Sequence, residues 1–100
     1  MENINLNEII KAADGAVTKG NPEININKIG IDSRTIEKDA LFFAIKGKAL
    51  DGHNFIKDAV QKEVAAVIYS AEETEKNFSD AKTVFVKVKN DAFVEDTEQA

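Results

Sequence analysis

The chain has no cysteine and a single histidine, His53, among its 100 residues. Without cysteine neither a disulfide framework nor a thiolate metal site can form, and one histidine is too few for the usual zinc ligand sets. These shortages exclude a structural zinc. Proline and glycine are also scarce, with one proline and five glycines, and no Pro-rich or Ser-rich linker divides the sequence. A chain of this length and composition predicts one compact domain.

Long hydrophobic runs are missing as well. The longest uncharged apolar runs are about five residues, whereas a membrane helix needs roughly 20. The amino terminus lacks the basic-then-apolar pattern of a secretory signal. We therefore expect a cytoplasmic protein that does not insert into a membrane.

Positive charge is in short supply, because the formal net charge is -5. This balance argues against general nucleic-acid binding, which depends on Lys and Arg contacts to phosphates. Only the middle of the chain, residues 28–57, carries a net positive charge. An anionic ligand would be attracted there, although a few solvated side chains would give the same pattern.

The apolar pattern predicts helices alternating with strands, and hence an α/β domain with a mixed, mostly parallel sheet covered by helices on both faces. The first helix is expected over residues 6–13, with Asn5 as its cap and Gly15 as its left-handed end. Residues 16–23 read as a loop or a short strand. The other predicted elements are an Ile-rich strand over 24–31 that is bulged or split at Lys28, a doubly covered strand over 41–45, a helix from about Asn54 containing Phe55, Ile56, Ala59 and Val60, a strand over 65–69, a polar helix or loop over 72–77, and a strand over 83–88.

Most residues with useful chemistry fall between Ile31 and Phe55. Asp32-Ser33-Arg34 follows a predicted strand, and Arg34 offers a planar donor fork for a carboxylate or phosphate. The alternative is a simple turn in which Arg34 pairs with an acid. Lys46-Gly47-Lys48 forms either a modest anion site or a solvated hairpin, and Asp51-Gly52-His53-Asn54 either a helix start that binds negative charge or a capped turn.

No catalytic arrangement is visible. His53 has no recognisable Ser or Cys nucleophile, and no pair of acids stands out as an acid-base dyad. The Gly-x-x-x-x-Gly-Lys-Ser/Thr loop that cradles nucleotide triphosphates does not occur. The sequence therefore predicts no catalytic residues and no metal ligands.

Taken together, four ordered segments resemble the amino-terminal domain of the Mur ligases of peptidoglycan synthesis. They are Ile31-Asp32-Ser33-Arg34, Leu41-Phe42-Phe43-Ala44-Ile45-Lys46-Gly47, Asp51-Gly52-His53-Asn54-Phe55-Ile56 with Ala59, and Ala65-Ala66-Val67-Ile68. The resemblance covers roughly residues 5–90, and the combination is specific although each segment alone is weak.

The resemblance implies that residues 1–90 form the domain that binds a UDP-N-acetylmuramoyl peptide, and that residues 91–100 are a linker toward a central ATP-binding domain. It is strongest to the ligase that joins D-alanyl-D-alanine to UDP-N-acetylmuramoyl tripeptide. The alternatives are the diaminopimelate- or lysine-adding ligase and a stand-alone, non-catalytic binding module. ATP and Mg²⁺ are expected in the full-length enzyme, no cofactor is expected in this fragment, and the fragment alone should be inactive.

The family's contacts to the uridine diphosphate moiety can be carried over to matching positions. They fall on Ile31, Ser33, Lys48, Ala49 and Leu50, with Arg34, Lys46 and His53 as softer assignments. Asp32 is expected to hold its turn.

Two turns depart from the family pattern. Asp39-Ala40 stands where Gly-Asp is usual, and Glu63-Val64 where Gly-Ala is usual. Losing the glycine at a helix end costs roughly 1 kcal/mol.

Overall fold

The computed structural model describes residues 3–44, 55–70, 78 and 82–89. The turns predicted around Gly47 and Asp51-Gly52, the polar segment 72–77 and the predicted linker 91–100 lie outside the described residues. Within them, the strands are β1 (Ile4–Asn5), β2 (Ala16–Lys19), β3 (Asn25–Ile26), β4 (Ile29–Gly30), β5 (Leu41–Phe43), β6 (Ala66–Tyr69) and β7 (Val84–Lys87), and the helices are α1 (Leu6–Ala12) and α2 (Ile56–Gln61).

The main sheet has five strands in the order β2-β7-β6-β5-β4. Strands β4 to β7 run parallel, and β2 closes the sheet by pairing antiparallel with β7. A separate antiparallel pair, β1 with β3, lies beside the entrance to α1. The predicted fold class is confirmed, because the sheet is mixed and mostly parallel.

Each face of the sheet carries its own apolar core, since neighbouring residues of a strand point to opposite faces. Phe42, Val67 and Phe85 pack with α2 on one face. On the other, α1 and Ile26 cover the second cluster, whose sheet members are Leu41, Ala66, Ile68, Val84 and Val86. Residues 41–43 and 66–69 therefore read as continuous apolar runs, as expected for strands covered on both sides.

The Ile-rich segment forms two short strands in two different sheets. Ile26 pairs with Ile4 in the small sheet, and Ile29 pairs with Leu41 in the main sheet. The slip in alternation at Lys28 thus marks a change of partner. Residues 16–19, left open as a loop or a strand, form the edge strand β2.

Helix α1 begins as predicted and ends differently. The Asn5 side chain accepts a hydrogen bond from the Asn7 backbone N–H at 2.9 Å, so Asn5 is the N-cap. The left-handed residue is Asp14, with φ of 54°, and not Gly15. Asp14 N–H donates to Lys11 O and Gly15 N–H to Ile10 O, which is a Schellman ending with Asp14 at its centre. Gly15 lies in a tight space, because a Cβ there would lie 3.0 Å from Val86 Cγ1.

Helix α2 starts at Ile56 with Phe55 as its N-cap, two residues after the predicted start near Asn54. Its end repeats the Schellman pattern, because Glu63 N–H donates to Val60 O and Val64 N–H to Ala59 O. Glu63 adopts φ of 62° and Asp39 adopts φ of 66°. Both turns predicted to form without glycine therefore keep the left-handed geometry that glycine would favour. No helix in the described part of the chain is long and apolar enough to cross a membrane.

Candidate functional site

The candidate site is the turn that follows β4, over residues 31–36. Its backbone is organised around Asp32, whose carbonyl oxygen accepts from the N–H groups of Thr35 and Ile36 at 3.2 and 3.0 Å. The Asp32 side chain adds a third bond, from the Arg34 N–H to Oδ1 at 2.9 Å. Asp residues favour such turns because a short carboxylate reaches the backbone two residues ahead. Asp32 therefore holds the turn, as the resemblance implies.

Arg34 forms a two-point ion pair with the same carboxylate. Its Nε donates to Asp32 Oδ1 at 3.0 Å and its Nη2 to Oδ2 at 2.9 Å. The side-chain and backbone hydrogen bonds from Arg34 hold the pKa of Asp32 at about 2, below its ordinary value of 3.8. The same carboxylate raises the pKa of Arg34. Of the two readings left open for this residue, the turn with an acid pair is present, and the guanidinium still reaches solvent with 86% of its side chain exposed.

The turn brings three sequence-predicted residues together in different environments. Ile31 is 63% exposed. Ser33 is buried, at 5% exposure. Arg34 is exposed beside it. The turn thus presents an apolar surface at Ile31 and a cationic group at Arg34, on either side of a buried serine.

Two residues that the sequence analysis did not single out support this turn. Gly30 lies under the Ile36 side chain, so close that an added Cβ would lie 2.5 Å from Ile36 Cδ1. Lys62, just past the end of α2, donates from Nζ to Ser33 O at 2.5 Å and to Arg34 O at 2.9 Å. A glycine inside a strand pattern is a signal for close approach. Nothing in local spacing could indicate Lys62, because its partners lie 28 and 29 residues earlier.

Lys46, Lys48, Ala49, Leu50 and His53 lie outside the described residues.

A cleft of about 580 Å³ opens elsewhere, near the starts of β5, β6 and β7, where Asp39, Ala65 and Thr83 line it. Its two lysines, Lys38 and Lys82, are balanced by Asp39 and Glu63. With equal numbers of opposite charges, this cleft is not selective for an anion, and it is distinct from the turn after β4.

In chemical terms the described part of the site offers an exposed apolar side chain, Ile31, and an exposed guanidinium, Arg34. The backbone N–H groups of Arg34, Thr35 and Ile36 hold the shape of the turn. Within residues 3–44, 55–70, 78 and 82–89 no group of three or more His, Cys, Asp or Glu side chains could hold a metal ion. The arrangement suits recognition of a ligand with an apolar ring and an anionic group.

Comparison with known proteins gives matches in both sequence and structure. Residues 25–99 match the family described as Mur ligase family, catalytic domain. The UDP-N-acetylmuramoyl-L-alanyl-D-glutamate--2,6-diaminopimelate ligase of Clostridium tetani is 40% identical over 86 residues, covering 85% of this chain and 17% of that protein. The ligase of the same name from Clostridioides difficile is 40% identical over 85 residues, covering 85% and 16%.

The solved structures that match belong to a differently named ligase. The crystal structure of MurF from Acinetobacter baumannii superposes with a TM-score of 0.75 at 26% identity, covering 90% of this chain and 19% of that one. A structure of UDP-N-acetylmuramoylalanyl-D-glutamyl-2,6-diaminopimelate--D-alanyl-D-alanyl ligase from the same organism gives a TM-score of 0.74 at 26% identity, with the same coverage. The chain thus spans less than a fifth of the length of the proteins it matches.

The fold defines the class of this protein as an α/β domain built on a mixed, mostly parallel five-stranded sheet. The family model matches most of the chain, and relatives are 40% identical over 85% of it, so the family can also be assigned. The chain belongs to the Mur ligase family.

Proposed function

We propose that this chain is the substrate-recognition domain of an ATP-dependent ligase of peptidoglycan-precursor synthesis, and that it binds the uridine diphosphate end of a UDP-N-acetylmuramoyl peptide. The observation that carries the proposal is the turn after β4, in which the family-like segment Ile31 to Arg34 presents an exposed isoleucine and an exposed guanidinium. Membership of the Mur ligase family supports it. Residues 1–90 are the proposed binding domain and 91–100 the proposed linker.

Each described residue has a role that its environment permits. Ile31 is exposed enough to cover one face of the uracil ring. Arg34 commits two of its donors to Asp32, and its remaining donors can meet a phosphate oxygen. Because Ser33 is buried, we expect it to contact the ligand only when the ligand is bound directly against the turn. The proposed contacts from outside the described residues are Lys46, Lys48, Ala49, Leu50 and His53.

The chemistry of bond formation is assigned to other parts of the enzyme. This chain contains no Gly-x-x-x-x-Gly-Lys-Ser/Thr loop, so its residues do not fit the usual cradle for ATP and Mg²⁺. No catalytic step is therefore derived from them. We propose that the full-length protein works in the cytoplasm and uses ATP and Mg²⁺ there. We also propose that the 100-residue chain alone hydrolyses no ATP.

Two acceptor specificities have support from different observations. The relatives at 40% identity are ligases named for 2,6-diaminopimelate, whereas one of the matching structures, at 26% identity, is a ligase named for D-alanyl-D-alanine. We favour the diaminopimelate-adding type on the higher identity. The D-alanyl-D-alanine-adding type, to which the sequence motifs point, is the second candidate.

The binding proposal is tested by titrating the 100-residue chain with UDP-N-acetylmuramoyl peptide and following backbone amide signals by NMR. We expect weak binding, with shifts concentrated at residues 31–34 and 46–53 and with smaller shifts for UDP alone. The matched control is N-acetylmuramoyl peptide without the nucleotide, which should leave Ser33 unshifted. Absence of shifts around Ser33 and Lys48 at millimolar ligand would contradict the proposal.

The stand-alone module is distinguished by the DNA that follows codon 100. A coding sequence that continues into a Gly-x-x-x-x-Gly-Lys-Ser/Thr loop supports the ligase, and an immediate stop codon supports the module. Assay of the encoded protein with meso-diaminopimelate and with D-alanyl-D-alanine, each with its own UDP-muramoyl peptide, then separates the two acceptor specificities.

A further inference from the structure

Lys62 connects two parts of the chain that are far apart in sequence. Its backbone N–H donates to Asp58 O and Ala59 O, at 3.2 and 3.0 Å, and so closes the last turn of α2. Its side chain extends away from the helix, and Nζ donates to Ser33 O and Arg34 O. One residue therefore ends a helix and bonds the candidate binding turn at the same time.

The carbonyl groups of Ser33 and Arg34 need a hydrogen-bond donor such as the Lys62 ammonium group. The N–H groups of Arg34, Thr35 and Ile36 are all directed to Asp32, which leaves the carbonyls of Ser33 and Arg34 to find donors from another segment. Ser33 is buried, and a buried carbonyl without a hydrogen bond is costly. An ammonium group supplies up to three donors, so a single lysine can serve both oxygens.

The position at the end of α2 also favours a cation. The carbonyl groups of the last helical turn give a helix C-terminus partial negative charge, which attracts a positive side chain. The Lys62 charge also lies close enough to Asp32 to contribute to lowering the pKa of that carboxyl group, although less than Arg34 does. The ammonium group is thus held by its hydrogen bonds to the two turn carbonyls, and the negative charge of Asp32 favours it there.

Apolar packing fixes the same turn from its far end. Ile36 is buried at 8% exposure, in the cluster that contains Ile56 and Ala59 of α2. The turn is therefore attached to α2 at two places, by Ile36 through apolar contact and by Lys62 through hydrogen bonds. Between these two attachments, Ser33 and Arg34 have little freedom to change direction.

We propose that Lys62 is a positioning residue for the binding site, which holds the carbonyls of Ser33 and Arg34 so that these two residues face the uridine diphosphate moiety in the required geometry. The inference rests on the proposed function and goes beyond it, because Lys62 does not itself touch the ligand. Its effect on binding is transmitted through the backbone of the turn.

The test compares Lys62→Met with Lys57→Met in the 100-residue chain. Both lysines are exposed and both variants remove one positive charge, but the hydrogen bonds to the turn carbonyls come from Lys62. Affinity for UDP-N-acetylmuramoyl peptide is measured by NMR titration at a temperature at which thermal unfolding curves show every variant to be folded. We expect Lys62→Met to bind about five- to tenfold more weakly and Lys57→Met to bind as the parent chain does.

Two further measurements separate positioning from a general loss of stability. Lys62→Arg should recover most of the affinity, because a guanidinium can also donate to two carbonyls. In Lys62→Met without ligand, amide hydrogen exchange should accelerate at Thr35 and Ile36 and stay unchanged at Val67 in β6. Equal affinity of Lys62→Met and the parent chain overturns the role of Lys62 but leaves the proposed function standing. If the parent chain itself does not bind, the proposed function fails and this inference fails with it.

Discussion

Arg34 stabilises the turn by pairing with Asp32, and only its remaining donors are available to a ligand. Its guanidinium and backbone N–H both bond the Asp32 carboxylate, so the pair is nearly neutral at a distance while the guanidinium plane stays fixed. Because the pair is nearly neutral, it attracts a phosphate only weakly from a distance. The fixed guanidinium plane can still orient a phosphate that is in contact with it. At this residue, structural pairing and anion recognition are therefore compatible, although the sequence presents them as alternatives.

The Asp32–Arg34 pair predicts a specific response to pH. The pKa of Asp32 is about 2 in the folded chain against an ordinary 3.8, so the pair stabilises the folded state above pH 3.8, and this contribution is lost as the pH falls through about 2. In Arg34→Met the pKa of Asp32 should rise toward 3.8, as measured by carboxyl ¹³C NMR titration. Lys28→Met, which removes the same charge before β4, should leave it near 2. An unchanged Asp32 titration in Arg34→Met would show that another group lowers the pKa.

Gly30 predicts a steric interaction with Ile36. An alanine at position 30 would force Ile36 Cδ1 away from its present place, and we expect Gly30→Ala to lose about 1 to 2 kcal/mol in the free energy of unfolding. Ile36→Val removes Cδ1 and alone costs about 1 kcal/mol. The double variant should lose less than the two single losses added together, as measured by urea denaturation. Strict additivity would mean that the close approach has no energetic effect.

The helix ends are the elements at which this chain departs from the usual pattern. Asp14 and Glu63 both occupy left-handed positions that glycine adopts without strain. In each case the Schellman hydrogen bonds form nonetheless. Each residue therefore adopts the left-handed geometry of a Schellman ending at an energetic cost.

Replacing Glu63 with glycine should stabilise the chain. The left-handed strain is removed while the main-chain bonds of Glu63 are retained, and we expect a gain of about 1 kcal/mol in the free energy of unfolding, partly offset by the greater freedom of glycine in the unfolded state. Glu63→Ala is the matched control, because it also removes the exposed 3.8 Å ion pair with Lys38 but keeps a Cβ. It should give no gain. A gain of equal size in both variants would assign the effect to the loss of the Glu63 carboxylate side chain and not to the left-handed strain.

Elements with a strong apolar pattern were predictable, and those defined by distant partners were not. The buried strands β5, β6 and β7 and both helices follow directly from apolar spacing. Strand β2 has no such signal, because its first three residues, Ala16 to Thr18, are exposed. It exists because β7 offers a free edge. The same holds for the site, where Asp32 and Arg34 were predictable from local chemistry but Lys62 depends on a contact across 28 residues.

At the scale of the whole molecule, the hydroxyl group of Thr18 links the edge strand to the interior. Thr18 Oγ1 lies 2.7 Å from Tyr69 OH and donates to Phe85 O at 3.2 Å, so β2 is connected to β6 across β7. Tyr69 is itself fully buried and contacts the Phe85 ring edge-on. The edge strand is thereby attached to the same core that packs against α2.

This link predicts coupled losses of stability. Tyr69→Phe and Thr18→Val should each reduce the free energy of unfolding by about 1 kcal/mol, since each removes a partly buried hydrogen bond. The double variant should lose clearly less than the two losses together, because both changes remove the same bond. Thermal denaturation monitored by circular dichroism gives all four stabilities. Independent, additive losses would show that the two hydroxyl groups do not interact energetically.

The strand order has a consequence for how the protein is made. Strand β7 comes last among the described strands in the chain, yet it lies between β2 and β6. A ribosome synthesises the residues in order. Until Val84–Lys87 has emerged, β2 therefore has no partner strand, and β6, whose residues are all buried in the folded domain, has one unpaired edge. An open, apolar edge is the kind of surface that recruits other chains. During translation, therefore, the nascent domain is most vulnerable to aggregation after Tyr69 has emerged from the ribosome and before Lys87 has emerged.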